Sequence, residues 1–496
     1  MISVPNRLQP SNGSKWLFLL IGLIWILPSC ELFKKAQSTE EPAKDGAELD
    51  PIPGRKIYDP ETGTLVVVEQ TPVEIMDTIK WRDIPVDSIP PIKSSKSNAV
   101  VEEGEGPRSE FIRNGEFGTA YYTAYQVSVV LPFLSNQFSA STGVLPENSD
   151  WALQFYGGVQ LALEDLNEEG VKLNVNVMDS KASDKEVSRL TTTRTELLNS
   201  HLIIGPYRRE CVQVMAEFAK RSNITFVSPH SSAAGVSSNN PNYIQVSPSL
   251  KSHCEAITEH VRKRFRPNQV VLVARDSDAE KDRFAYFQNK NYIISGTRAD
   301  SVQFREYLVK ESSTYQNIDL RPYLGYNDTT VFILPSWSSE TFIYSFLSKL
   351  KLTADADNYV EVYGMPQWMS YEKIDIDLYE TLNVHVSSDV FLDGYDQDVR
   401  FFRQRFFDRY GAIPKDEATL GYDVMLYCGR MINKYGTKFQ YWMEREAQDM
   451  LHTRFDFERV VRAGQTTGFE NAPIEQFENK FVNILRFQDY QFQPTN

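Results

Sequence analysis

Two arginines and two serines follow a pair of short apolar segments. Arg208 and Arg209 come directly after IIGPY (203–207), and Ser231 and Ser232 come after ITFVSPH (224–230). A guanidinium group can bind a carboxylate or phosphate through two parallel hydrogen bonds. A serine hydroxyl can donate one more hydrogen bond. Two strand ends with polar tips usually frame a pocket, so this stretch favours a site for a small anionic ligand.

Each of these side chains also has a structural alternative. The arginines could form a salt bridge with Glu210 or with an acidic residue elsewhere in the fold. Ser231 and Ser232 could instead cap the turn that follows them. The sequence leaves both alternatives open.

Catalytic and metal-binding spacings are missing from the chain. Ser228 and His230 are neighbours in SPHS, but no G-x-S-x-G motif is present. There is no G-x-x-x-x-G-K-[ST] motif, and no G-x-G-x-x-G follows a strand. His253 and His260 lie on one helical face without an evident third metal ligand. We therefore predict no enzyme activity, no cofactor and no metal.

Composition points to a folded protein of several domains. The chain has 496 residues, of which 41% are hydrophobic and 12% aromatic. Its net charge of −14 argues against nucleic-acid binding, since no stripe of Lys and Arg with interleaved aromatic residues offsets it. The cysteines Cys211, Cys254 and Cys428 sit in apolar helical contexts, so we predict buried free thiols.

A targeting segment occupies residues 1–29. Basic residues precede WLFLLIGLIWILPS (16–29), an apolar run of signal-peptide length, and the segment ends in Leu27-Pro28-Ser29-Cys30. This ending resembles a bacterial lipobox, which predicts lipidation of Cys30 and an anchor in the cell envelope, in the outer membrane with the body in the periplasm. The alternative is an ordinary signal peptide with a chance cysteine.

Segments of contrasting composition follow Cys30. Residues 30–56 are predicted to be a tether, 57–83 a small β-hairpin segment around Pro-Glu-Thr-Gly, and 84–120 a linker. From Tyr121 onward, buried-type strands alternate with amphipathic helices, as in VSVVLPF (127–133) and GGVQLALEDLNEEG (157–170). The alternation restarts after a helix at 250–265, with NYIISG (291–296) among the expected strands. This pattern predicts two α/β lobes with parallel sheets.

Several segments occur in an order that identifies a family. They are VSVVLPF, GGVQLALEDLNEEG, IIGPYRRE, ITFVSPHSSA, NYIQVSPSLKSHCEAI (242–257) and FDRYGAIPKDEATLGYDVMLY (407–427). Together they resemble type I periplasmic binding proteins of the branched-chain amino-acid class. The resemblance covers about residues 122–490. It implies two Rossmann-like lobes joined by a hinge of three crossings: 121–250 with 386–450, and 251–385 with 451–496.

The resemblance also implies which residues would face a ligand. Arg209 falls at about the position of a ligand-binding serine, with Arg208 beside it, while Ser231 and Ser232 match the second loop of the first lobe. In the second lobe, the corresponding positions are Glu280, Ser336, Trp337 and Gln367. These residues do not reproduce the family's clamp for an α-amino acid. Trp337 and Trp368 could line the cleft or pack as ordinary core residues.

The function expected from these features is non-catalytic capture of a small, anionic, amino-acid-like or peptide ligand between the lobes. The alternative is a regulatory or scaffolding lipoprotein whose partner is an envelope protein, such as a cell-wall synthase or an outer-membrane assembly. The long tether and the hairpin segment favour the alternative. The SPHSS loop favours the small ligand.

Overall fold

The chain forms two units, and the structure describes a hairpin in the first of them. The computed structural model describes residues 55–59, 64–68, 107–139, 146–232, 235–296, 302–311, 315, 317–461 and 473–495. The chain divides into two compact units, Met1–Ala99 and Val100–Asn496. In the first, β1 (Arg55–Asp59) pairs antiparallel with β2 (Thr64–Val68), as expected for the hairpin around Pro-Glu-Thr-Gly. The predicted signal peptide, Cys30 and most of the tether lie outside the described residues.

The second unit alternates strands and helices along most of its length. Its strands are β3 (Phe111–Asn114), β4 (Ala120–Tyr122), β5 (Tyr125–Leu131), β6 (Leu173–Asp179), β7 (Leu202–Ile204), β8 (Thr225–Ser228), β9 (Tyr243–Gln245), β10 (Val270–Arg275), β11 (Arg305–Val309), β12 (Asp328–Ile333), β13 (Asn358–Gly364), β14 (Val384–Ser388), β15 (Gln448–Asp449), β16 (Arg454–Phe455), β17 (Phe457–Val461), β18 (Ile474–Asn479), β19 (Asn483–Gln488) and β20 (Gln491–Pro494). Its helices are α1 (Asp150–Glu168), α2 (Asp184–Thr193), α3 (Thr195–Leu198), α4 (Arg209–Ser222), α5 (Leu250–Arg264), α6 (Asp278–Lys281), α7 (Phe284–Ser295), α8 (Glu340–Thr353), α9 (Ile376–Thr381), α10 (Gln397–Tyr410) and α11 (Asp416–Tyr435). Within the residues described, no helix has the length and apolar character needed to span a membrane.

The first lobe is built on a sheet that is buried on both faces. Its strands lie in the order β17-β18-β9-β8-β7-β5-β6, and β5 through β9 are parallel. In β5, Val127 and Val129 join one hydrophobic core and Val130 joins another on the opposite face. Burial on both sides explains why this strand is a continuous apolar run rather than an alternating one.

The second lobe repeats this design with one core. Its sheet has the order β11-β10-β12-β13-β14-β19-β20, with β10 through β14 parallel and the last two strands antiparallel. The two lobes together confirm the predicted fold class of two doubly wound α/β lobes. The two antiparallel strands β19 and β20 pair as a hairpin.

The chain crosses between the lobes three times, and the predicted position of the last crossing was wrong. The crossings follow β9, β14 and β18. We expected residues 451–496 to belong entirely to the second lobe. Instead, β17 and β18 complete the first sheet, because Phe477 of β18 pairs in parallel with Ile244 of β9. The crossing therefore falls between Asn479 and Asn483. The second crossing follows Ser388, slightly later than expected.

Two other local expectations also differ from the structure. NYIISG (291–296) forms the end of α7 rather than a strand, and Gly296 ends that helix with a φ of +75°. Strand β11 takes the expected place in the sheet. Part of the predicted linker 84–120 is also structured, because β3 and β4 form a hairpin. It is anchored to the body where the Thr119 hydroxyl donates to the carbonyl of Tyr435 at 3.0 Å.

Helices α1 and α11 pack with their backbones in close contact. A Cβ atom placed on Gly158 would overlap the carbonyl oxygen of Ala418, and one placed on Gly421 would overlap that of Phe155. Glycine at both positions thus permits the close approach. Since α1 begins beside the ends of β7 and β8, this packing helps to position the loops of the candidate site.

Candidate functional site

The two predicted arginines lie where β7 leads into α4. Arg208 is the residue preceding the helix, and its guanidinium donates to the carbonyl of Ala182 at 3.4 Å. Arg209 is the first residue of the helix and is exposed. Neither arginine pairs with Glu210 in the part of the chain that the structure describes. The Arg209 guanidinium has no hydrogen-bond or ion-pair partner among the described residues.

A cavity between the lobes brings three of the predicted residues together. It contains Arg209, Ser232 and Trp337 and has a volume of about 760 Å³. We call it the Arg209 cavity. Its lining residues are Arg209, Ser232, Gly235, Ser237, Ser238, Ser249, Leu250, Lys251, Tyr286, Trp337, Val460, Glu475, Gln476, Glu478 and Lys480.

The remaining predicted residues do not line this cavity. Ser231 is buried, with 7% of its surface exposed, whereas its neighbour Ser232 is half-buried and faces the cavity. Gln367 is half-buried, and its Oε1 is buried without a hydrogen-bond partner among the described residues. Trp368 is a core residue, since it is fully buried and its indole donates to the carbonyl of Ser336 at 3.4 Å.

Glu280 and Ser336 instead form a buried polar cluster with Arg275. The Arg275 guanidinium donates to Glu280 Oε1 at 2.6 Å, and the Ser336 hydroxyl donates to the same oxygen at 2.8 Å. The backbone N–H of Arg275 donates to Glu280 Oε2 at 2.9 Å. Burial raises the pKa of Glu280, but these donors outweigh burial and hold that pKa below its ordinary value. Both carboxylate oxygens are therefore engaged inside the second lobe.

Positive charge in the Arg209 cavity is only partly neutralised. Glu478 pairs with Lys480 at 2.9 Å, and Glu475 accepts a hydrogen bond from the backbone N–H of Asn239 at 2.8 Å. Lys251 has a 3.6 Å ion pair with Glu255 on the helix surface. Such an exposed pair contributes little free energy, so Lys251 can turn to another anion. Arg209 and Lys251 thus place positive charge at the cavity wall.

Lobe 2 contributes an aromatic wall to the cavity. Trp337 follows β12 and packs edge-on against His253, with ring centroids 6.0 Å apart. Tyr286 of α7 also lines the cavity. A cavity with cationic side chains and an aromatic wall can hold a small ligand that carries a negative group and an apolar portion.

Several residues that line the cavity were not predicted from the sequence. Lys251 lies in the quoted segment NYIQVSPSLKSHCEAI, directly after the first crossing, so its position offered a signal. Glu478 and Lys480 were missed because the third crossing was placed too early. Glu478 Oε1 accepts from the Ser249 backbone N–H at 2.8 Å and from the Ser252 hydroxyl at 2.6 Å. These bonds link the end of β18 to the start of α5.

The cysteines and the potential metal ligands were also compared with the predictions from the sequence. Cys211, Cys254 and Cys428 are buried and free, as predicted. Burial raises the pKa of Cys211 to about 11, which keeps that thiol protonated and unreactive near neutral pH. Among the residues described, no three His, Cys, Asp or Glu side chains are grouped so that they could hold a metal ion.

Comparisons with known proteins agree with the observed fold. Residues 154–383 match the family described as receptor family ligand binding region. A candidate branched-chain amino acid ABC transporter protein from Rhodospirillum rubrum superposes with a TM-score of 0.54 at 14% identity, covering 75% of this chain and 100% of that chain. An ABC transporter substrate-binding protein from Desulfitobacterium hafniense gives a TM-score of 0.50 at 14% identity, covering 74% and 99%.

These similarities confirm the family resemblance found in the sequence. The chain has the type I periplasmic binding protein fold. No curated protein matches the chain significantly in sequence.

Proposed function

We propose that this protein is a non-catalytic binding protein that captures a small, anionic, amino-acid-like or peptide ligand in the cleft between its lobes. One observation carries the proposal: Arg209, Ser232 and Lys251 share a cavity with Trp337 of the second lobe, and Arg209 has no anionic partner among the described residues. A free guanidinium beside a serine hydroxyl and a lysine suits a carboxylate or phosphate.

Capture would depend on residues from both sides of the hinge. Arg209 begins α4, so the positive end of the helix dipole adds to its own charge. Ser232 would supply a hydroxyl hydrogen bond from the first lobe. Trp337 would cover the apolar part of the ligand when the lobes close around it. The three crossings provide the hinge about which the lobes would move.

Anchoring is the second part of the proposal. The lipobox-like ending at Cys30 supports attachment of the protein to a membrane of the bacterial envelope. The tether that follows would place the two-lobed body away from the lipid surface. We favour the outer membrane, with the body in the periplasm, because no dense acidic run follows Cys30.

A thermal-shift screen tests ligand capture directly. The full chain, purified in a mild detergent, would be heated with acidic amino acids, short peptides and cell-wall fragments. A ligand at a hundred times its Kd should stabilise the folded protein by about 2.7 kcal/mol, because it binds the folded state alone. Arg209→Ala should abolish this shift.

Arg221→Ala is the matched control, since Arg221 is exposed at the opposite end of the same helix. It should leave the shift intact. If no compound stabilises the protein, the small-ligand proposal fails. Crosslinking in the native membrane would then test the envelope-protein alternative, which predicts one reproducible protein partner.

A further inference from the structure

A second cavity, of about 230 Å³, has the opposite charge to the Arg209 cavity. We call it the Trp151 cavity. Its walls come from the start of α1, the end of β8, the start of α11 and the crossing segments. Asp389, Asp416 and Glu417 line it, and no lysine or arginine does. We propose that the Trp151 cavity binds a small organic cation of the aliphatic ammonium type.

The negative charges of the three carboxylates remain available to a ligand. Among the residues described, no ion pair is formed by Asp389, Asp416 or Glu417. Lys415 directly precedes Asp416 and Glu417, and its charge acts on Glu417, but its ammonium group is paired with Asp150 Oδ2 at 2.7 Å. An ammonium ion in the cavity would supply the missing positive charge.

A buried hydroxyl gives independent support for a bound ligand. Thr453 lines the cavity and is only 9% exposed, and its Oγ1 has no hydrogen-bond partner within the described residues. A buried polar atom without a partner costs free energy, so such atoms commonly face a ligand or water. The hydroxyl oxygen can accept a hydrogen bond from an ammonium N–H.

Thr453 is held in place by the loop around it. The Asp423 carboxylate accepts from the backbone N–H groups of Leu451 at 3.1 Å and His452 at 2.9 Å, and it also contacts His452 Nδ1. The Met450 N–H donates to the carbonyl of Thr453 at 2.8 Å. The unpartnered hydroxyl therefore belongs to a fixed loop, which makes it a preformed acceptor.

Aromatic rings form the opposite wall. Trp151 stacks on Tyr207 with centroids 4.7 Å apart and on Phe155 at 5.1 Å, and His230 lies 5.8 Å from both Trp151 and Tyr207. Because Trp151 is engaged with two other rings, the carboxylates supply most of the attraction. The rings offer an apolar surface against which the aliphatic part of an amine can pack.

His230 does not add a positive charge at neutral pH. Its side chain is exposed to the cavity but is crowded by surrounding protein. This desolvation lowers the pKa of His230, and Asp389 and Glu417 only partly counteract the effect. The cavity accordingly keeps its negative charge when the carboxylates are ionised.

An organic cation fits better than a metal ion. The described His, Cys, Asp and Glu side chains are nowhere grouped closely enough in threes to ligate a metal. The cavity volume of about 230 Å³ instead suits a short aliphatic amine with its hydration water. This site differs from the Arg209 cavity in lining residues and charge, so the two proposals can fail independently.

Calorimetric titration of the full chain in detergent tests this inference. The probes are 1,4-diaminobutane and n-butylamine, with sodium chloride at equal ionic strength as the blank. We expect saturable binding of at least one amine, weakened at least tenfold in Glu417→Gln. Glu210→Gln is the matched control, because Glu210 also lies in the first turn of a helix but lines neither cavity.

Two further variants separate this site from general effects. Thr453→Val should weaken amine binding several-fold without lowering the melting temperature of the unliganded protein, because it removes an unpaired buried hydroxyl. Arg209→Ala should leave amine binding unchanged. Absence of saturable amine binding, or equal affinity in wild type and Glu417→Gln, would overturn the inference, since nonspecific attraction to the acidic protein would not depend on Glu417.

Discussion

Glu478 connects the two lobes through a single side chain. It ends β18 in the first sheet, while its Oε1 accepts hydrogen bonds from Ser249 and Ser252 near the start of α5. Lys480 completes the cluster through an ion pair at 2.9 Å. Burial raises the pKa of Glu478, but Lys480 and the hydrogen-bond donors lower it further than burial raises it.

The first prediction concerns Glu478 and pH. Because the folded-state pKa is lowered, the stabilisation is present above the unfolded value of about 4.3 and is lost as the pH falls through the folded value. Glu478→Gln should lower the free energy of unfolding by about 2 kcal/mol at pH 7. Denaturant unfolding should show this difference shrinking below about pH 4.3. A difference that stays constant down to acid unfolding would contradict the assigned ionisation.

Glu280 provides a second residue-level prediction. Its carboxylate is engaged by Arg275 and Ser336, so we expect a role in stability. Glu280→Gln should reduce the free energy of unfolding by about 2 to 3 kcal/mol, since it weakens a buried ion pair. Ligand affinity, measured well below the melting temperature, should remain within a factor of about two, because less than 0.5 kcal/mol of binding is at stake. A selective loss of affinity would restore Glu280 to the ligand site.

At the level of helices and strands, close packing of α1 against α11 depends on glycine. Gly421→Ala would normally favour a helix, yet its new Cβ would overlap the Phe155 carbonyl. We expect a loss of about 1 to 3 kcal/mol, the usual cost of overpacking. Gly394→Ala is a suitable comparison, because a Cβ there meets only one side-chain atom at 3.6 Å. Thermal unfolding of both variants measures the difference, and equal melting temperatures would refute the packing argument.

The sequence predicted elements well where local pattern and burial agree. VSVVLPF (127–133) was expected as a buried-type strand, and its first five residues lie in β5 (Tyr125–Leu131). NYIISG was assigned to the wrong element because a short apolar run fits both a helix and a strand. A contact outside the segment holds it in place, because the Asn291 side-chain amide donates to the carbonyl of Val302 at 2.9 Å. A local sequence pattern does not reveal such a contact.

For the whole molecule, the order of the motifs was sufficient to predict two lobes and three crossings. It did not fix the third crossing, because the pairing of Phe477 with Ile244 joins residues far apart in sequence. The same limit applied to the candidate site. Arg209, Ser232 and Trp337 were predicted individually, but their meeting with Lys251 in one cavity depends on how the lobes face each other.

The two cavities give the protein an uneven distribution of charge around its hinge. Arg209 of the first lobe and Lys251 of the second line one cavity, while Asp389 and Glu417 line the other. The net charge of −14 gives no indication of this arrangement. We therefore expect the charge of a bound ligand to depend on the charged groups that line each cavity and not on the net charge of the protein.

The central claim is that Arg209 holds an anionic ligand between the lobes. Native mass spectrometry of the full chain, purified in parallel as wild type and Arg209→Ala after incubation with the same panel of anions, tests it most directly. We predict a mass adduct of one small acid on the wild type, released on denaturation, and its loss in the variant. An equal adduct on both proteins, or none on the wild type at saturating concentrations, would contradict the claim.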